Sequence, residues 1–230
     1  MCGRIARERD DFAQAYGFPE FAETRVRVDL GTWTGHYNIA PTQEDVILRP
    51  ADNVQELAAS RWGLIPVWAR DRSIASKTFN ARSETLLERS AFRTLVGGRR
   101  CIIPASGFYE WQKVGKGKQP LYIHRAGGGP IALAGLWTEW TDPDTGELVT
   151  SHTVITCPPN ELMAQYHNRM PVILEGDALL QWLDPDFRDG HAAQSLLVPL
   201  PDDRLTVRPV APLVNNVRND GPELIAPVEA

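Results

Sequence analysis

Cys2 directly follows Met1, and a small second residue is the pattern that methionine aminopeptidase trims, so the mature chain is expected to begin at Cys2. An N-terminal cysteine is a 1,2-aminothiol. Its amine condenses with an aldehyde to an imine, and its own thiol then closes a five-membered thiazolidine on the same carbon. An internal cysteine cannot do this, because its nitrogen is an amide. A chain-terminal amine has a reference pKa of about 7.7–8.0, so a usable fraction is neutral near pH 7. Taken alone, Cys2 reads as an accident of a loose chain start. The other reactive residues decide its meaning.

Glu110 stands in the apolar, aromatic run Gly107-Phe108-Tyr109-Glu110-Trp111. Two readings of the run are open. If Glu110 is buried, desolvation raises its pKa and lets it shuttle protons near neutrality; in an ordinary alternating strand it faces solvent. His36, His124, His152, His167 and His191 are far apart, with no metal-ligand spacing. Cys2, Cys101 and Cys157 make an odd count with no close pair, which argues against a disulfide framework and a cysteine zinc site. The HExxH, GxSxG, Walker A and GxGxxG signatures are absent. No metal and no cofactor are expected. Cys101 and Cys157 sit in β-like runs and read as buried, inert thiols.

The elements that must position these groups are mostly strands. The chain has 230 residues, 43% of them hydrophobic, enough for a sizeable core. No stretch approaches the ~20 apolar residues of a membrane span. The start, MCGRIARERDDF, lacks the apolar centre of a secretory signal, and a cytoplasmic location is expected. A net charge of −5 provides no global pull toward nucleic acid, so any DNA contact needs a local basic groove. Residues 36–41, 45–49, 55–61, 101–103, 107–111, 121–124, 131–140, 152–156, 171–174 and 205–209 read as strands. Helices are expected over 8–17, 84–96, 160–166, 177–183 and 191–197, with an irregular tail from Pro212. Many strands, scattered helices and no βαβ alternation predict an α+β fold. The expectation is one domain over 1–230, built on a curved, largely antiparallel sheet or barrel-like core.

Four short segments occur in a telling order: Met1-Cys2-Gly3-Arg4, Asn80-Ala81-Arg82-Ser83-Glu84, Gly107-Phe108-Tyr109-Glu110-Trp111, and His167-Asn168-Arg169-Met170-Pro171. Through them the chain resembles the SOS response-associated peptidase family, whose members crosslink to abasic sites in single-stranded DNA. The resemblance runs from Cys2 to about Ile225. It implies that Cys2, Asn80, Glu110 and His167 are catalytic. Glu110 would handle protons near the terminal amine and His167 would assist as the sugar ring opens. The Asn80 amide would donate to oxygen developing at the aldehyde carbon, although Asn80 also reads as a helix cap or turn residue, a role for which Ser83 competes. Arg4, Arg82 and Arg169 each lie within two residues of one of these groups and would cradle phosphates. Pro41, Trp62, Pro66 and Trp68 would offer apolar surfaces to unstacked bases, with at least one tryptophan readable as core. Asn215, Asn216, Asn219 and Asp220 would brace loops near the site.

The expected partner is single-stranded DNA containing abasic sites, and the expected activity is a thiazolidine crosslink through Cys2. Two rivals remain: a thiol peptidase, with removal of Met1 as its one peptide reaction, and a single-strand binder that does no chemistry.

Overall fold

The computed structural model describes residues 2–8, 24–26, 35–51 and 54–228. Its strands are β1 (Ile5–Arg7), β2 (Thr24–Val26), β3 (His36–Ile39), β4 (Glu44–Ala51), β5 (Val54–Trp62), β6 (Asn80–Arg82), β7 (Arg100–Ala105), β8 (Gly107–Val114), β9 (Gly117–Arg125), β10 (Ile131–Thr141), β11 (Leu148–Cys157), β12 (Met170–Pro171), β13 (Ile173–Leu174) and β14 (Leu205–Pro209). The helices are short: α1 (Glu161–Ala164), α2 (Gly176–Leu183) and α3 (Gly190–Ser195).

The strands make two bodies. One is a five-stranded sheet in the order β14-β9-β8-β1-β3. In the other, β11 pairs with β10, β10 with β7, β7 with β4, β4 with β5, and β5 returns to β11. That ring is a closed five-stranded barrel. Closure removes open strand edges, which would otherwise expose unpaired backbone groups. The closing pair is parallel, setting Trp62 beside His152 and Arg61 beside Ser151. β7 is buried along its whole length, and β10 nearly so. Strands covered on both faces read as unbroken apolar runs, which is why Arg100–Ala105 and Ile131–Thr141 show little alternation.

Arg7 rivets sheet to barrel. Its Nη2 lies 2.6 Å from Asp45 Oδ1 with both side chains essentially inaccessible, and its Nε donates to the Pro104 carbonyl at 3.0 Å. Behind it, His152 sits 3.0 Å from Ser60 Oγ through Nδ1 and stacks on Trp62. Burial pushes the His152 pKa down to about 4, so the ring is neutral at physiological pH. Gly107 opens β8 because nothing larger fits. A Cβ there would stand 2.5 Å from the Ile123 carbonyl oxygen and 2.6 Å from the Tyr122 ring, forcing β8 away from β9.

The barrel-like, largely antiparallel reading holds, with β accounting for most of the regular structure. Two local expectations change. Residues 84–96 form a 3₁₀ turn (Ser83–Thr85) followed by separate turns, not one helix. Bonds from Arg89 to Thr85, Arg93 to Arg89, and Arg99 to Leu95 close single helical turns that do not propagate. The apolar spacing reported a buried face, and Leu86, Phe92 and Val96 do pack into the core. The second change is β6, a three-residue strand parallel to β11 that the sequence does not announce. The helix expected over 8–17 lies, from residue 9 onward, outside the described residues.

Candidate active site

β1 runs antiparallel to β8, with Ile5 opposite Phe108 and Ala6 opposite Gly107. Tyr109 N–H donates to the Arg4 carbonyl at 3.0 Å, so the residues before β1 are carried along β8 toward Glu110. From the barrel side, β6 begins at Asn80, opposite Val154 of β11. Asn80 Nδ2 donates to the Cys2 carbonyl at 2.7 Å. Cys2 therefore lies where sheet and barrel meet, and its side chain is fully buried.

Burial pushes the Cys2 thiol pKa up to about 12, and the negative charge of nearby Glu110 adds to the rise. Glu110 is itself only 5% exposed, which decides between the two readings of its strand. Desolvation lifts its carboxyl to about 7. A thiol held protonated thus neighbours a carboxyl that gains or loses a proton near neutrality, the condition for efficient proton transfer. Asn80 differs from its sequence reading. Its NH₂ is occupied by the Cys2 main chain, while its Oδ1 is buried without a hydrogen-bond partner among the described residues. It neither caps a helix nor makes an Asx turn.

His167 follows α1, whose N-cap is Asn160. Its Nδ1 lies 3.0 Å from the Arg169 main-chain nitrogen and 3.2 Å from the Arg169 carbonyl oxygen, so the ring is held against its own loop. Partial burial lowers its pKa, so the neutral form dominates at pH 7. β11 relates His167 to Asn80: β6 pairs with it at Val154–Thr156, and β12 pairs at Thr156 and Cys157.

The three arginines divide. Arg169 turns inward, binding the Glu84 carboxylate with both Nη atoms and the Thr156 carbonyl at 2.6 Å. Arg4 also turns inward, donating to Asn38 Oδ1 at 2.5 Å and to the Val214 carbonyl at 2.7 Å. Arg82 alone is exposed, and its side chain makes no hydrogen bond or ion pair among the described residues. It lines a groove of about 360 Å³ that begins at Asn80 and also includes Lys77 and Arg89, both exposed. Sequence reading missed those two cations; charge was their only signal, and Arg89 was hidden in the run taken for a helix. A second groove shares Ser90 and Ala91 with the first and holds Pro66, Val67, Trp68 and Arg93.

Trp68 is 56% exposed, but Trp62 is fully buried, its Nε1 donating to the Phe79 carbonyl at 2.9 Å. Trp62 therefore offers no stacking surface. Pro41 is half-buried in a turn whose Thr42 N–H meets the Trp62 carbonyl at 2.6 Å. Trp62→Ala is expected to lower stability by about 3–5 kcal/mol, as for large core aromatics. Trp68→Ala should leave the denaturation midpoint unchanged. Paired chemical denaturation curves check this, and equal midpoints for the two variants would refute it. Cys101 and Cys157 are buried, with thiol pKa values raised by desolvation. Asn215 Oδ1 accepts from Trp111 Nε1 at 2.6 Å, so the tail does reach the site's neighbourhood. Among the described residues, no group of three or more His, Cys, Asp or Glu could hold a metal ion, and no helix is long and apolar enough to cross a membrane.

The model of the family "SOS response associated peptidase (SRAP)" matches residues 1–217. The chain is 40% identical to the abasic site processing protein YoqW of Bacillus subtilis (strain 168), over 98% of this chain and 99% of that one. It is 36% identical to the abasic site processing protein HMCES of Xenopus tropicalis, covering 99% of this chain and 78% of that one. Among solved structures, a protein from Bacteroides thetaiotaomicron superposes with a TM-score of 0.86 at 25% identity, covering 99% of this chain and all of the other. A protein from Bordetella bronchiseptica gives 0.75 at 30% identity, covering 91% of this chain and all of the other.

Proposed function

Because the chain belongs to the SOS response associated peptidase family, we propose that it processes abasic sites in DNA, holding them as a covalent adduct of Cys2. The observation that carries this reading is the meeting of Cys2 with Asn80 and Glu110: a main-chain carbonyl fixed at 2.7 Å and a thiol within the field of a carboxyl that titrates near 7.

Once Met1 is removed, the Cys2 amine adds to the C1′ aldehyde of the ring-opened sugar. The carbinolamine loses water to give the imine. Glu110, as the carboxylate, takes the thiol proton, and the sulfur adds to the imine carbon while the nitrogen is protonated. The ring closes readily because the second bond is intramolecular. Neutral His167 serves the ring oxygen of the sugar as it opens, and Asn80 Oδ1 accepts a hydrogen bond from the substrate or the new amine. An aldehyde held as a thiazolidine does not promote β-elimination, so the strand is protected.

The peptidase rival requires a thiolate nucleophile. The crosslink needs the same thiol deprotonated, so a thiol raised to about 12 does not separate the two readings, and trimming of Met1 is compatible with both. Intact mass after incubation with an abasic oligonucleotide separates the alternatives. An adduct that needs no borohydride supports the crosslink, a cleaved peptide supports the peptidase, and reversible binding alone supports a passive binder. The same spectrum tests the chain start. A predominant species retaining Met1 would sink the mechanism, because its amine is not on Cys2.

The DNA path proposed here follows Arg82, Lys77 and Arg89 and continues to Trp68. Arg82→Ala and Arg89→Ala are expected to weaken single-strand binding, each lowering the slope of log K against log salt by about 0.7. Arg169→Ala should leave that slope alone and instead reduce thermal stability. Titrations across a salt series decide it: an unchanged slope in both groove variants would put the DNA elsewhere.

A further inference from the structure

Asn38 lies on β3, and its side chain is only 3% exposed. Its Oδ1 accepts from Arg4 Nη1 at 2.5 Å. Its Nδ2 faces three main-chain carbonyls at once: Val214 at 3.3 Å, Asn216 at 3.0 Å and Asn219 at 2.7 Å. Arg4 Nη1 reaches the same Val214 carbonyl at 2.7 Å. The segment from Pro212 to Asp220 is thus folded around one buried amide. It has two further moorings. Asn215 Oδ1 accepts from Trp111 Nε1, and Asp220 accepts from the Tyr37 N–H at 2.5 Å and pairs with His36 at 2.6 Å. The Arg4 guanidinium also lies 5.7 Å from the centre of the Trp111 ring.

These moorings adjoin the reactive groups. Trp111 is the neighbour of Glu110, and Arg4 is two residues from Cys2. Desolvation lowers the Arg4 pKa, and a half-buried guanidinium is tolerable only with acceptors such as the two it has here. A surface arginine awaiting phosphate needs no such arrangement.

We propose that Asn38 is a positioning residue for Cys2: it grips Arg4 and the C-terminal segment together and so fixes the main chain that delivers Cys2 between Asn80 and Glu110. Arg4 then acts as a strut and not as a phosphate contact. The DNA readout of this proposal rests on the abasic-site reading above, but its second readout does not.

The test compares wild type with Asn38→Ala, Arg4→Ala and the double variant. Two measurements are made: single-turnover adduct formation at saturating abasic oligonucleotide, and iodoacetamide labelling of each cysteine by peptide mass spectrometry. Small displacements of a reacting group can cost about 10²-fold in rate. Both single variants are expected to lose about 10–100-fold in adduct rate, with DNA affinity and salt slope unchanged. Cys2 should label at least about tenfold faster, since its protection depends on the same grip. Cys101 and Cys157 should label at the wild-type rate, which shows that the core is intact. The double variant should be no worse than either single one, because residues in one network are not additive. Asn38→Asp covers the case in which Asn38→Ala does not fold. It keeps the acceptor for Arg4 but turns an oxygen toward the three carbonyls, and it should give the same result.

Wild-type labelling of Cys2 in Asn38→Ala or Asn38→Asp overturns the proposal. Faster labelling of all three cysteines together also overturns it, as does a loss confined to affinity and salt slope. If wild type forms no adduct with abasic DNA, the crosslinking function fails, and Cys2 labelling alone then decides the positioning role.

Discussion

Cys2→Ala is expected to abolish the heat-stable adduct with abasic DNA, while Cys101→Ser and Cys157→Ser leave it intact. The reason is connectivity. Only Cys2 can present an amine and a thiol on adjacent carbons, and only Cys2 is held beside Asn80 and Glu110. Alanine keeps the amine, so an imine can still form. That imine is hydrolysed on denaturation unless borohydride traps it. Denaturing gels with and without borohydride therefore test the ring and the amine separately. A heat-stable band from Cys2→Ala in the absence of reductant would refute the thiazolidine, whatever happens to DNA binding.

Glu110→Gln is expected to slow adduct formation by about 10²-fold or more, within the range for a general acid–base group, with little change in DNA affinity. Its pH behaviour is more informative than its size. In wild type the rate should rise as pH climbs through about 7, where the carboxyl ionises and begins to accept the thiol proton. The variant should lose that limb and retain only the rise from deprotonation of the terminal amine, about 7.7–8.0 in an ordinary chain. Stability should move in the opposite sense. The folded carboxyl titrates at about 7 against an ordinary value of 4.5, so the unfolded chain ionises first. Between those two values, rising pH favours unfolding at this group. Glu110→Gln should therefore raise the melting temperature at pH 8, and the gain should disappear below pH 4.5. A variant with the wild-type pH–rate profile, or with a gain that grows on acidification, would show that Glu110 is not the titrating group.

Much of the barrel was legible because its strands are long and apolar. The Glu44–Ala51 and Val54–Trp62 hairpin also showed itself by a polar break between two β-rich runs. The parallel pairing of Asn80–Arg82 with β11 was not, since three residues meeting a strand more than 70 positions away carry no local periodicity. Residues 84–96 misled because helical spacing records which residues face the core, and a chain of single turns can satisfy the same facing. Glu110 could not be resolved from its strand pattern, for β8 begins buried on both faces and loses that cover only near its end. The arginines were the least legible. Arg4, Arg82 and Arg169 look alike in sequence. Only their acceptors, Asn38 and Val214 for one and Glu84 and Thr156 for another, separate those engaged by the protein from the one left to solvent.

The joining of Arg4 to Val214 also has a consequence for the order of events during synthesis. These residues are 210 positions apart, so their hydrogen bond closes only after residue 214 has been made. At roughly 5–20 residues per second, Cys2 is made about 10–40 s before Val214. With Met1 removed as proposed, it would be an ordinary solvent-exposed aminothiol for much of that interval. Any small aldehyde can then cap it, and a stalled fragment stays in that condition indefinitely. On the positioning role proposed for Asn38, arrival of residues 212–220 would end the exposure by fixing the main chain beside Cys2. If the Asn38 grip holds Cys2 as proposed, synthesis of residues 212–220 would convert Cys2 from a general aldehyde scavenger into a shielded group, and a chain lacking that segment would be the more promiscuous reagent.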